Sequence, residues 1–506
     1  MLKRNVVANV LGGSWTALLS LLIIPVQVHV LGVEAYGLLA FMASVQVIAS
    51  IFDLGLSPTI TREVTRDGTP ESQWSRELIR SLSAVYWPIG IAIGLAIFVS
   101  ADWTAAHWLH LGKIPVSTGA TAIRLAAVAL ALRWPVSFYS GAIAGRQRFD
   151  VLNALKAIVA TVTLVGGIVV ILVSRDLLVF MAWMAVAAAV EVTGYLIVTR
   201  TIVPGLSLRP MLSPGMWTIW RYAAGMNAIN VLAMVFTQSD RLLISRLLSI
   251  QILGFYALAY NILYGLSLIQ NFVTSALFPA FVSSHAATRD DEFRDRYQKA
   301  SQMLLYAYNA PIWLLVFFGR DLLTLLTSSS IAAHAYPILW VLAIGFLLNA
   351  SVALAYTACI ATGNTELPIR VNLVAAIGYV PALVILTLSS GAVGAATAWL
   401  LLNLYYQVAL LPSVHKNIVK VSTPAWLATS VLPFVGTGVL VFGVIRLLLL
   451  LTGVDDPWLG LVAGGLGVAA YAFAGFRFLR GSVKAEIVKS VNDVRLTFGV
   501  SLGRRR

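Results

Sequence analysis

The apolar run that contains FTQSDRLLIS, residues 236–245, carries an Asp240–Arg241 pair. A charge near the centre of a bilayer costs from ~3 kcal/mol to well over ~10 kcal/mol, so charges persist there when they have work to do. Other charges in equally apolar surroundings are Asp53, Arg124, Arg133, Glu191, Arg246 and Arg446. An arginine in a wet, low-dielectric cavity reads phosphate or carboxylate through its planar fork of donors, which points Arg241 at an anionic substrate. Asp53 is the candidate for ion coupling, and Arg133 with Glu191 suits a structural charge pair between neighbouring helices. Arg124, Arg246 and Arg446 fall near predicted span ends, where long side chains reach the surface. Positions 240 and 241 are about 100° apart on a helix, so Asp240 stands beside the face that Arg241 occupies.

Enzyme chemistry has no comparable foothold. His107 and His110 in HWLHLG lack a third ligand nearby and read as an interfacial aromatic segment. There is no phosphate-loop lysine motif, so the chain does not itself hydrolyse ATP. Glu34, Asp102, Asp176, Asp455 and Asp456 fall in predicted loops, as solvated charge, and no loop is long enough for an extracytoplasmic enzyme domain. The expectation is a non-enzyme with no catalytic residue, metal or cofactor.

The elements that must position these residues are membrane helices. The chain has 506 residues, 59% of them hydrophobic and 11% charged, and a mean hydropathy of +0.87. Soluble proteins carry roughly 25% charged residues, so an integral membrane protein follows. With about 20 apolar residues per crossing, the hydropathy predicts about fourteen transmembrane helices, the first near 8–30 and the last near 458–479. Residues 1–30 read as a retained first helix, because the run is long, contains Pro25 and lacks a small-residue cleavage site. The net charge of +14 gathers in alternate loops and tails, including Arg62, Arg66, Arg146, Arg148, Arg289 and Lys416. That bias places both termini in the cytoplasm and explains the basic excess without nucleic acid. A single cysteine, Cys359, rules out an intramolecular disulfide.

A polar segment near 200–219 divides six spans from six more. The expected organisation is an N-terminal lobe at 1–205, a cytoplasmic linker at 206–218, a C-terminal lobe at 219–412, two further helices at 413–480 and a basic cytoplasmic tail at 481–506. Sliding the chain by 217 residues aligns 31–41 with 248–258, with Gly37 on Gly254 and Ala40 on Ala257. Polar faces align too. Span 1 carries Asn9, Gly13, Thr16, Ser20 and Gln27, and span 7 carries Asn227, Asn230, Thr237, Gln238 and Arg241. Span 2 carries Gln46, Ser50, Asp53 and Ser57, while span 8 carries Asn261, Tyr264, Ser267 and Asn271. Polar faces in lipid must meet one another or line a wet cavity. The fold expected is therefore all-α and polytopic, with two parallel six-helix lobes around a central cavity plus two C-terminal helices. A cation with a wall of amides and hydroxyls suits a sugar attached to phosphate.

Four stretches resemble a known family. SDRLLISRLLSIQILGFYALAYNI (239–262), the small-residue block at 358–403, LGVEAYGLLAFMASVQVIASIFDLGLSPTITREV (31–64) and AGRQRFDVLNALKAI (144–158) are similar to polysaccharide exporters. The resemblance is to the multidrug/oligosaccharidyl-lipid/polysaccharide superfamily, in its O-antigen flippase branch. It implies an alternating-access flippase for undecaprenyl-diphosphate-linked oligosaccharide in the bacterial inner membrane, beside membrane lipid and glycan polymerase or assembly proteins. Fourteen spans departs from the twelve often drawn for O-antigen flippases and matches the lipid II flippase branch. The rivals are a multidrug cation antiporter, which prefers an acidic cavity, and a membrane glycosyltransferase or ligase, which needs an acid/base or metal constellation.

Overall fold

The computed structural model describes residues 15–16, 19–53, 56–67, 73–206, 234–287 and 289–488. Asn9, Gly13, Asn227, Asn230, residues 207–218 of the expected linker and the tail beyond 488 lie outside them. The described residues are helical, with no strand beyond one isolated bridge between His110 and Ser249. They form α1 (Leu19–Leu31), α2 (Val33–Ala49), α3 (Leu56–Asp67), α4 (Gln73–Val99), α5 (Val116–Arg133), α6 (Val136–Gly145), α7 (Phe149–Ser174), α8 (Leu177–Ile202) and α9 (234–247). There follow α10 (Ile250–Ala286), α11 (Asp290–Leu326), α12 (Ser329–Ala361), α13 (Glu366–Ala409), α14 (Leu432–Leu451) and α15 (Pro457–Phe476). Eleven helical segments are long and apolar enough to cross a membrane. The one containing α13 is two helices joined at Ser390–Gly391, where Gly391 takes φ 59°, ψ −141°, a backbone open to glycine and closed to a side chain. With the shorter apolar helix α1, the described residues are roughly consistent with the expectation of about fourteen crossings.

The chain divides into two compact units, Met1–Leu258 and Ala259–Arg506. In the first, α5 packs between α4 and α8, and α3 lies along α6. The α3–α6 contact is a ladder. Hydroxyls of Ser57, Thr61 and Thr65 donate to the carbonyls of Ser137, Gly141 and Gly145 at 2.9, 3.0 and 3.0 Å. Glycine is required opposite, since a Cβ on Gly141 would lie 2.7 Å from the Ser57 carbonyl oxygen. Small residues and hydroxyls supply the close packing that lipid, itself apolar, cannot drive by exclusion.

Two glycines aligned by the 217-residue offset also touch. A Cβ on Gly37 would overlap the Ile250 carbonyl and lie 2.9 Å from the Gly254 nitrogen, while one on Gly254 would overlap the Val33 carbonyl. The contact is reciprocal under the 217-residue offset, which maps 33 to 250 and 37 to 254. Because backbone cannot rotate aside, Gly37→Ala is expected to destabilise the fold by about 1–3 kcal/mol, as overpacking does. Gly378→Ala, in open space on α13, is the control expected to lose nothing. Denaturation midpoints in detergent compare the two.

In the second unit, α11 packs against α12, α14 and α15. Arg446 on α14 does not reach for the surface. Its Nη1 donates to Asp321 of α11 at 2.8 Å and its guanidinium lies 5.5 Å from the Phe318 ring, because a buried carboxylate one helix away satisfies it better than a long path to water. Glu34 also departs from expectation. It opens α2 with 7% exposure, held by three backbone amides. Asp176 and Asp456 cap the N-termini of α8 and α15, and Asp102 pairs with Arg124.

Candidate functional site

Two broken helices meet in the first unit. α2 gives way to a 3-10 turn at Ser50–Asp53. α5 stops at Arg133, since Pro135 lacks the N–H needed to carry the helix on and α6 resumes at Val136. Between the breaks lies a cavity of about 540 Å³. Gln46, Ser50 and Asp53 come to it from the end of α2, Ser57 from α3, Arg133, Trp134 and Ser137 from the α5–α6 kink, and Met234 and Thr237 from α9. Its volume falls within the roughly 300–1,000 Å³ of small-molecule pockets, suited to a polar headgroup.

Both charges at the cavity wall are held. Asp53 accepts a short hydrogen bond from the Tyr86 hydroxyl of α4, and the Ser137 hydroxyl lies 3.5 Å from the same carboxylate oxygen. Tyr86 rests against Phe138, ring centroids 5.1 Å apart, which fixes its hydroxyl on Asp53. Arg133 donates from Nε to Glu191 of α8 at 3.0 Å, the two side chains 19% and 18% exposed. The fork of Arg133 is thus oriented from behind by Glu191 while the residue lines the cavity.

Asp240 and Arg241 have a different setting. Asp240 is 1% exposed and accepts from the Tyr256 hydroxyl at 2.5 Å and from the Arg241 backbone N–H at 2.7 Å. It ties α9 to the first turns of α10. Arg241 is buried, outside the cavity lining, one turn beyond Thr237 on the same helical face. Gln238 is buried, and its Oε1 has no hydrogen-bond partner among the described residues.

The cavity therefore collects Gln46, Ser50, Asp53, Ser57, Arg133 and Thr237 of the residues singled out in the sequence, with Glu191 paired to Arg133. Thr16 accepts from Ser20 through its carbonyl, and Gln27 is half-buried in a π-turn ahead of α2; neither lines the cavity. Asn261 is half-buried in the second unit, where Tyr264 and Asn271 are exposed and Tyr264 stacks on Tyr260 at 5.9 Å. His107 stacks on Trp103, and among the described residues no three His, Cys, Asp or Glu side chains gather as metal ligands would. The reading from residues alone missed Tyr86 and Ser137. Their signal was the polar-aromatic run Ser83, Tyr86, Trp87 ahead of Pro88 and the serine just past the Trp134–Pro135 break.

The chain is similar to known proteins in sequence and in fold. A family model described as polysaccharide biosynthesis protein matches residues 2–285. A Shigella flexneri protein whose name makes it a candidate O-antigen transporter is 21% identical over 408 residues, 78% of this chain and 93% of the relative. Among solved structures, the lipid II flippase MurJ in an inward closed conformation superposes with a TM-score of 0.71 at 12% identity, covering 92% of this chain and 98% of that one. An inward-facing multidrug resistance transporter of the MATE family and MOP superfamily gives 0.66 at 12% identity, over 79% and 96%. The fold is that of MurJ and MATE transporters.

Proposed function

This chain belongs to the polysaccharide biosynthesis protein family, and on that premise we propose that it is a flippase for a polyprenyl-diphosphate-linked oligosaccharide, an O-antigen or exopolysaccharide unit, in the bacterial inner membrane. The observation that carries the reading is the cavity at the α2 and α5 breaks. It sets the Arg133 guanidinium, beside Asp53, among Gln46, Ser50, Ser57, Ser137 and Thr237. The guanidinium takes phosphate oxygens through paired N–H donors. The amide and hydroxyls exchange hydrogen bonds with sugar hydroxyls at little net cost. Arg241, one turn beyond Thr237, is the second cation on this path. The polyprenyl tail stays in lipid, and alternating access exposes the headgroup to each side in turn. No bond cleavage is asked of the protein, which acts as a transporter rather than an enzyme.

An inside-negative potential favours the direction. Each net negative charge moved outward gains about 2.3 kcal/mol per 100 mV. Asp53, seated at a helix break, is the candidate for ion coupling, and transport indifferent to both proton and sodium gradients with Asp53 intact removes that role. A multidrug cation antiporter is the second reading, since Asp53 brings a carboxylate to the same cavity. Depleting the protein in its host tests the reading. Lipid-linked glycan is expected to accumulate on the cytoplasmic face; normal surface glycan with new drug sensitivity would overturn it.

A further inference from the structure

The end of the first unit where α2 and α10 begin is tied by a single strap, residues 109–115, between α4 and α5. Glu34, in the first turn of α2, is the anchor. Its Oε1 accepts from Gly112 N at 2.6 Å and Ile114 N at 3.3 Å, and both its oxygens accept from Lys113 N, at 3.0 and 2.8 Å. The same strap holds α10, where the His110 carbonyl accepts the Ile250 N–H at 3.1 Å. Just before it, Trp108 Nε1 donates to Ser245 Oγ of α9 at 3.0 Å. The two helix starts so gripped are the pair that touch at Gly37 and Gly254.

The grip is built to be all or none. A carboxylate withdrawn from water is costly unless its lone pairs are filled, and here three amides of one loop fill them. Gly112 and Lys113 are themselves exposed, so the strap borders solvent on its outer side. Seated and hydrated states both satisfy the polar groups, whereas a half-withdrawn carboxylate does not, which makes a two-state element. The position aligned with Glu34 by the 217-residue offset is Gln251, exposed and without a carboxylate.

We propose that residues 109–114 form a releasable latch, in which Glu34 seated on the amides of Gly112, Lys113 and Ile114 shuts this end of the first unit and unseating it lets α2 and α10 part. Its purpose rests on the alternating-access reading, in which this end faces the exterior.

The test uses the full chain in lipid nanodiscs and needs no substrate. Ser44, fully buried and two turns beyond Gly37 on the same face of α2, becomes the reporter as Ser44→Cys, labelled by a bulky maleimide against the unsubstituted chain with its buried Cys359 as baseline. Labelling is expected to be slow and to rise several-fold with Glu34→Gln. Gly112→Pro, which removes one donor and keeps the carboxylate, is expected to act likewise and serves should Glu34→Gln fail to fold. In the otherwise unaltered chain, hydrogen exchange at 112–114 is expected to proceed at the rate at which position 44 opens. Labelling unchanged by a folded variant, or amides 112–114 that exchange freely while position 44 stays closed, makes the strap a static staple and overturns the latch. Either result leaves the transport reading to be judged by its own assay.

Discussion

Replacing Arg133 by glutamine is expected to abolish headgroup transport while leaving the protein in the membrane. A charge-assisted hydrogen bond is worth about 1.5–3 kcal/mol, which is roughly a tenfold to hundredfold loss of headgroup affinity per bond. The substitution also strands Glu191, 18% exposed on its side chain, without its cation. Part of any loss would therefore be instability, and a double substitution separates the two. Arg133→Gln with Glu191→Gln removes both charges and is expected to recover the denaturation midpoint but not transport. Arg133→Lys keeps the charge and loses the planar fork, so partial transport is expected. Export restored in full by the double variant would place the work of Arg133 in structure alone.

The second large effect lies in the other unit and concerns stability. Arg446→Met is expected to destabilise the fold by about 3–5 kcal/mol, the usual penalty for leaving a buried charge unpaired. Asp321 is 6% exposed, and Gly460 of α15 comes so near that a Cβ there would lie 2.5 Å from its Oδ2, so the stranded carboxylate stays packed against a helix. Asp321→Leu combined with Arg446→Met removes both charges at similar volume and is expected to restore most of the midpoint, because buried pairs are often matched by apolar replacements. Export is expected to follow stability here and to recover in the double variant, opposite to the Arg133–Glu191 pair. Denaturation midpoints and export measured on the same four proteins decide it.

Much of the architecture was legible because lipid imposes simple rules. Apolar length gave the crossings, and the 217-residue offset paired Gly37 with Gly254, which pack against each other. Asp53 and Gln46 were visible as polar residues on one helical face, and both line the cavity. The rest depended on where helices break and which distant element lies opposite. Glu34 looked like a loop charge because nothing local shows that the amides of 112–114, nearly eighty residues on, close over it. Asp321 went unremarked for the same reason, since its cation lies 125 positions away. Asp240 was placed beside the face of Arg241, and its partner Tyr256, sixteen positions on, was not visible from the run itself.

The central claim is that a diphosphate headgroup passes through the cavity beside Arg133. Purified protein in liposomes, given a fluorescent undecaprenyl-diphosphate-linked oligosaccharide and an impermeant quencher, measures translocation directly. The account predicts time-dependent protection of the fluorophore that is lost with Arg133→Gln and with the stable Arg133→Gln, Glu191→Gln double variant. Translocation by that double variant at the wild-type rate would contradict it.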